Sequence, residues 1–154
     1  MQHMLPRVFI LSAAIALAAP SAALAHDPPA AKIGEPGDAT AVTRTIEVRM
    51  QAKMQFRPAS IRVRGGETVR LVLKNTDDRT HEFMLGETKE LRAHAAVMQK
   101  HPEMIHDEPN AITVAAGQTG ELIWKFPKSG RVDFACLLPG HFEAGMKGAV
   151  QVSR

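Results

Sequence analysis

From Val42 onward, apolar and polar residues alternate with a period of two. Ile46, Val48 and Met50 fall on one side of the first segment, with Thr45, Glu47 and Arg49 on the other. Successive side chains of a strand point to opposite faces, so this alternation predicts a half-buried strand. Ile61 and Val63 alternate with Arg62 and Arg64, and Gly65-Gly66 marks a turn. Val69, Leu71 and Leu73 follow, and "NTDDRT" at 75–80 is a second turn cluster. "HEFML" at 81–85 puts His81, Phe83 and Leu85 on one face. Leu122, Trp124 and Phe126 share a face opposite Ile123 and Lys125. "PKSG" then turns the chain into Val132, Phe134 and Cys136, and 148–152 reads as a last strand. Short alternating segments bounded by Gly, Pro and Asp predict an all-β fold, a Greek-key sandwich.

One segment departs from this period. "ETKELRAHAAVMQKH" at 87–101 holds good helix formers and neither Gly nor Pro. Thr88 suits an N-cap, Glu90 the first turn and Lys100 the last, and Pro102 stops the helix at His101. The expectation is one short helical insert at 88–101 between two strands.

The ends of the chain bear on compartment. Arg7 is the one charged residue among the first 25, an apolar run covers Val8 to Ala19, and Ala23-Leu24-Ala25 has the small-x-small form of a cleavage site. This predicts a secretory signal peptide at 1–25, cleaved after Ala25, and a periplasmic protein beginning at His26. No other segment is apolar and long enough to span a bilayer, so no membrane attachment is expected after cleavage. "HDPPAAKIGEPGDAT" is rich in Pro, Gly and Ala, and 26–41 reads as a mobile arm ahead of one domain at 42–154.

Charge narrows the partners. The formal net charge of +3 falls to +2 once Arg7 leaves, no run of Lys and Arg stands out, and the chain has one Trp and no Tyr. That argues against nucleic acid.

The chemistry gathers in "CLLPGHFEAGM", 136–146, where Cys136, His141 and Met146 are evenly spaced. Cys136 is the sole cysteine and has no internal disulfide partner. In an exported protein such a thiol is either a buried, inert side chain or a metal ligand. Strand parity turns Cys136 toward the same interior as Phe134, and His81 toward the same interior as Phe83. Two imidazoles, a thiolate and a weak thioether are the donor set of a type 1 copper site. Zinc prefers Cys, His and carboxylate to a thioether.

A His on an early strand followed by a late Cys-x4-His-x4-Met loop resembles the cupredoxins, over roughly Val42 to Val152. "HEFMLGE", the helical insert, "AGQTGELIWKF" and "FACLLPGHFEAGM" together resemble the periplasmic copper-tolerance cupredoxins of the CopI type, and the loop spacing is similar to that of rusticyanin. The resemblance implies one type 1 copper held by His81, Cys136 and His141, with Met146 axial. Many blue copper proteins have Asn, Ser or Thr after the first His, where this chain has Glu82. Parity alone makes Glu82 a solvent-facing strand residue.

Further Met and His residues raise the question of additional copper. Of seven His and eight Met, His3, Met1 and Met4 lie in the signal. His94, Met98 and His101 share one helix face at i, i+4, i+7. Met104 and His106 follow, and Met50 and Met54 lie in "RMQAKMQF". These soft donors form a candidate second copper site; alternatively Met50 and Met98 are core. His26, with the α-amino group that cleavage would expose, is a candidate Cu(II) chelate, unless the terminus is merely unstructured.

Leu137, Leu138, Pro139, Phe142 and Ala144 surround His141 and could form an apolar patch where a periplasmic redox partner docks, or pack inward. Two functions follow. One is a copper-tolerance protein that binds copper and cycles it between Cu(I) and Cu(II). The other is a soluble one-electron carrier between respiratory proteins. A multicopper enzyme needs paired His-x-His motifs, a binuclear copper site needs two cysteines, and no nucleophile elbow or P-loop is present. The expectation is therefore a redox-active binding protein, not an enzyme.

Overall fold

In the computed structural model, which describes residues 30–104 and 108–154, the alternating segments become strands of two facing sheets. The signal segment, His26 and His106 lie outside the described residues. The chain starts with a short helix α1 (Ala30–Ile33), a two-residue strand β1 (Glu35–Pro36) and a 3-10 turn at Ala39–Ala41. β2 (Arg44–Gln51), β3 (Gln55–Arg57), β4 (Ser60–Arg64), β5 (Thr68–Asn75) and β6 (His81–Gly86) follow. Helix α2 (Thr88–Lys100) comes next, then β7 (Ala111–Val114), β8 (Thr119–Lys125), β9 (Gly130–Ala135) and β10 (Lys147–Ser153). One sheet has the order β1-β8-β5-β2-β3 and the other β4-β10-β9-β6-β7. β2 with β5 and β10 with β4 pair in parallel; the remaining pairs are antiparallel.

The inner faces are those the alternation predicts. Val48, Met50, Val69, Leu71, Leu73, Leu122 and Trp124 from one sheet meet Ile61, Val63, Phe83, Leu85, Val132 and Phe134 from the other. Two short strands, β3 and β7, have no counterpart in the alternation read above. β3 has three residues, and β7 has one fully buried position, Val114.

Helix α2 lies where expected, but its start differs. Glu87 is the N-cap and makes no side-chain cap bond, while the Thr88 hydroxyl reaches across to the Asp133 carboxylate. Leu91, Ala95 and Met98 recur at i, i+4, i+7 and pack with Met84, Ala135, Leu137 and Phe142, forming a second cluster outside the sandwich. Both faces of β6 are therefore buried.

The segment expected as a mobile arm is attached over 33–37. Trp124 Nε1–H donates to the Ile33 carbonyl at 2.7 Å, Glu35 and Pro36 pair with Lys125 and Trp124, and Ile33 is buried. A buried indole N–H needs an acceptor, and this backbone supplies it. Gly34 (φ +101°) permits the close approach, since a Cβ there would strike the Lys125 carbonyl. Trp124→Phe leaves the Ile33 carbonyl without its donor and should cost about 1–3 kcal/mol. Amide exchange should rise mainly at 33–37; a uniform rise would mean that the segment is held by something else.

Candidate metal centre

Three elements bring the site together. His81 opens β6, Cys136 directly follows β9, and His141 lies in the loop before β10. The loop is tied at its base: Cys136 N–H donates to the Met146 carbonyl (3.0 Å) and Met146 N–H to the His141 carbonyl (3.0 Å). His141 N–H closes a turn onto the Leu138 carbonyl, and Gly140 and Gly145 supply the positive φ values the loop needs.

The ligand atoms of His81, Cys136 and His141 all lie within 4.8 Å of one another. Cys136 Sγ is 3.1 Å from His141 Nδ1, and His81 Nδ1 is 3.3 Å from His141 Nδ1. Two donors each about 2 Å from a common ion lie about 3.3 Å apart. The spacing and the soft, borderline donor chemistry therefore fit a bound copper. His81 and Cys136 are fully buried and His141 is half-buried, so the cluster has one partly accessible edge. Met146 is fully buried in the same core cluster as Cys136, at the end of the loop.

Burial pushes the Cys136 thiol up to about 11, while backbone N–H groups of Glu82 and Leu138 pull the other way. The His141 imidazole is held below its usual range, first by burial and then by neighbouring His81. Without metal, the site at neutral pH is thus a protonated thiol beside a neutral imidazole. Copper has to displace the thiol proton. Between pH 7 and 9, copper binding should release about one proton per ion, and apparent affinity should rise about tenfold per pH unit. Calorimetry in buffers of different protonation enthalpy measures this; binding without proton release would exclude the thiol as a ligand.

Two acidic residues near the site escaped the sequence reading. Glu82 is not solvent-facing: it is 2 % exposed, because α2 and the 136–142 loop cover the outer face of β6. Its backbone N–H donates to Cys136 Sγ at 3.3 Å, and its carboxylate accepts the Leu137 N–H at 3.2 Å. Asp77, read only as part of a turn, places Oδ2 2.9 Å from His81 Nε2. The His81 hydrogen bond is the first cause holding its carboxyl down at about 2. An Asp four residues before a candidate ligand His was the available sequence signal.

The candidate residues for additional copper sit in different surroundings. Met50 is in the sandwich interior, Met54 packs against that core, and Met98 lies between α2 and the sheet. His94 is half-buried on α2. His101 is exposed and faces Glu103 at 3.7 Å, and Met104 is 44 % exposed. The apolar loop residues divide: Leu137 and Phe142 are buried, while Pro139 and Ala144 face outward and Leu138 is partly covered.

Comparison with known proteins agrees with this geometry. Residues 42–153 match the family described as copper binding proteins, plastocyanin/azurin family. A copper-resistant cuproprotein CopI of Rubrivivax gelatinosus is 54% identical over 77% of this chain and 72% of its own length. Its namesake in Pseudomonas aeruginosa is 35% identical over 97% of this chain and 99% of its own. Among solved structures, auracyanin B superposes with a TM-score of 0.63 at 25% identity, covering 80% of this chain and 95% of that one.

Proposed function

Because this chain belongs to the plastocyanin/azurin family of copper-binding proteins, we propose that it is an exported, periplasmic protein of copper tolerance. In this reading His81, Cys136, His141 and Met146 would hold one redox-active type 1 copper. The observation that carries the proposal is the buried Cys136–His141–His81 triangle, with edges of 3.1 and 3.3 Å. The similarity to copper-resistant proteins in two bacteria supports the physiological role. The apolar run at 8–19 and the Ala23-Leu24-Ala25 pattern support export.

Copper supplies the one-electron chemistry when bound, alternating between Cu(I) and Cu(II). The chain supplies the rest. Cys136 offers a thiolate and two imidazoles complete the triangle, with His81 fixed on β6 and Cys136 and His141 held by the tied 136–146 loop. Little of this framework has to move when the charge changes. Asp133, Thr88 and the α2 cluster brace the outer face of the same strands.

A second reading, a soluble one-electron carrier, draws on one feature: His141 is partly exposed beside outward-facing Pro139 and Ala144. The two readings part in a strain lacking its own copper-tolerance protein. Restored growth in copper by the full chain, but not by a Cys136 variant, supports copper tolerance. Absent rescue together with rapid electron exchange with a c-type cytochrome supports the carrier. N-terminal sequencing of the exported protein, expected to begin at His26, checks the compartment. Metal analysis checks the number of copper ions, expected to be one; an excess lost on replacing His94 and His101 would place a second ion on α2.

A further inference from the structure

The two nitrogens of His81 face different surroundings. Nδ1 points into the ligand triangle, 3.3 Å from His141 Nδ1. Nε2 points away from it, to Asp77 Oδ2 at 2.9 Å. Neither side chain meets solvent appreciably: that of His81 is 0% exposed and that of Asp77 4%. A carboxylate cannot donate to Nε2, so Nε2 carries the proton and the Nδ1 lone pair is free.

The carboxylate is itself held in place. Its Oδ1 accepts the Asp78 N–H at 2.8 Å, and the Asp77 N–H donates to Asn75 Oδ1 at 3.0 Å. Asn75 is buried, and its amide donates to the carbonyls of Arg79 (2.7 Å), Val114 (2.9 Å) and Ala115 (3.1 Å). The turn between β5 and β6 is thereby pinned to the end of β7. Arg79 is the nearest cation, with Nη2 3.7 Å from Oδ2 and a side chain 54% exposed, so it offsets the carboxylate only in part.

We propose that Asp77 is a positioning residue of the copper centre. It locks His81 in the Nε2–H tautomer with Nδ1 toward the metal, and makes the imidazole a stronger donor that favours Cu(II) over Cu(I). The inference rests on the reading of His81, Cys136 and His141 as copper ligands. Its physical basis is general. A carboxylate pulling on the distal N–H orients a ligand imidazole and raises its basicity. A negative charge close to the ion, with little water between, stabilises the more highly charged oxidation state.

Two measurements test it on the full chain. The first needs no variant and no copper: long-range 1H–15N correlation of the copper-free protein should show His81 protonated at Nε2. A proton on Nδ1 would overturn the proposal. The second uses Asp77→Asn, which keeps an acceptor oxygen but loses the charge, alongside Asp77→Ala and Asp77→Glu. In Asp77→Asn the ratio of Cu(II) to Cu(I) affinity should fall about tenfold, equivalent to a rise of about 59 mV in potential. Asp77→Ala should lose more and Asp77→Glu should recover part of it. Potentials equal to wild type in Asn and Ala variants that bind copper would overturn the proposal. Failure of the ligand reading shows differently: copper would give no thiolate absorption in the wild-type chain, whatever the His81 tautomer.

Discussion

Cys136→Ser should fold, yet give a copper-loaded protein without intense visible absorption and with copper affinity lowered by more than about 100-fold. The absorption needs a thiolate sulfur bonded to copper, and a serine hydroxyl stays protonated and offers a poor, hard donor. Cys136 is the single cysteine, so no other thiol can take its place. The fold should survive because the backbone of residue 136 is held independently of its side chain, by donation to the Met146 carbonyl. The exchange removes a buried, protonated thiol and leaves a hydroxyl facing the Glu82 N–H, which it can accept. Visible spectra and competition against a copper chelator give the two readouts. An unchanged band would remove Cys136 from the site.

The second large effect concerns the platform beneath the metal. Phe134→Ala should destabilise the protein by about 3–5 kcal/mol. Phe134 is fully buried, stacks on Phe83 at 4.8 Å between centroids, and meets the edge of Phe56 at 5.3 Å. Each aromatic pair adds about 0.5–1.5 kcal/mol to the burial. The residue paired opposite has no side chain to fill the space. Gly148 is paired opposite Phe134 on β10, where a Cβ would strike both the Phe134 ring and the Ala59 carbonyl. Because Phe134 precedes Cys136 by two residues on the same face, copper affinity should fall as well. Urea unfolding of the copper-free chain measures the stability; a loss below about 1.5 kcal/mol would mean that the neighbouring side chains collapse into the gap.

The inward direction of His81 and Cys136 was readable because it depends only on period-two parity, which burial of one face enforces. The candidate order Cys136, His141, Met146 could be set out from the sequence because these residues are close together in it. Glu82 was misread for a definable reason. Alternation places it on the face opposite His81, and that face is wet only if nothing packs there. Helix α2 packs there, through Leu91, Ala95 and Met98, and the sequence of β6 does not announce it. Asp77 was missed because Asp in "NTDDRT" has a sufficient explanation in turn chemistry. Its second oxygen turns toward His81 only once β5 and β6 are in register. Met50 and Met98 carried two meanings in the sequence, donor or core; the structure buries them in two separate apolar clusters. The arm lacked periodicity, yet Ile33 and Glu35–Pro36 are held by Trp124 and Lys125, partners about ninety residues later.

The parallel pairing of β10 with β4, which sets Val150 beside Ile61, has a consequence in time. β10 is the last strand, and it lies between β9 and β4 in its sheet. Until it docks, the loop holding His141 and Met146 has an anchor at one end only, and β4 lacks its partner. Closing contacts between residues so far apart is slow, because a long loop must be ordered first. A chain made amino end first would therefore have nearly all of its length free before the metal triangle could form. Before that point copper would meet only scattered donors, and after it a finished pocket.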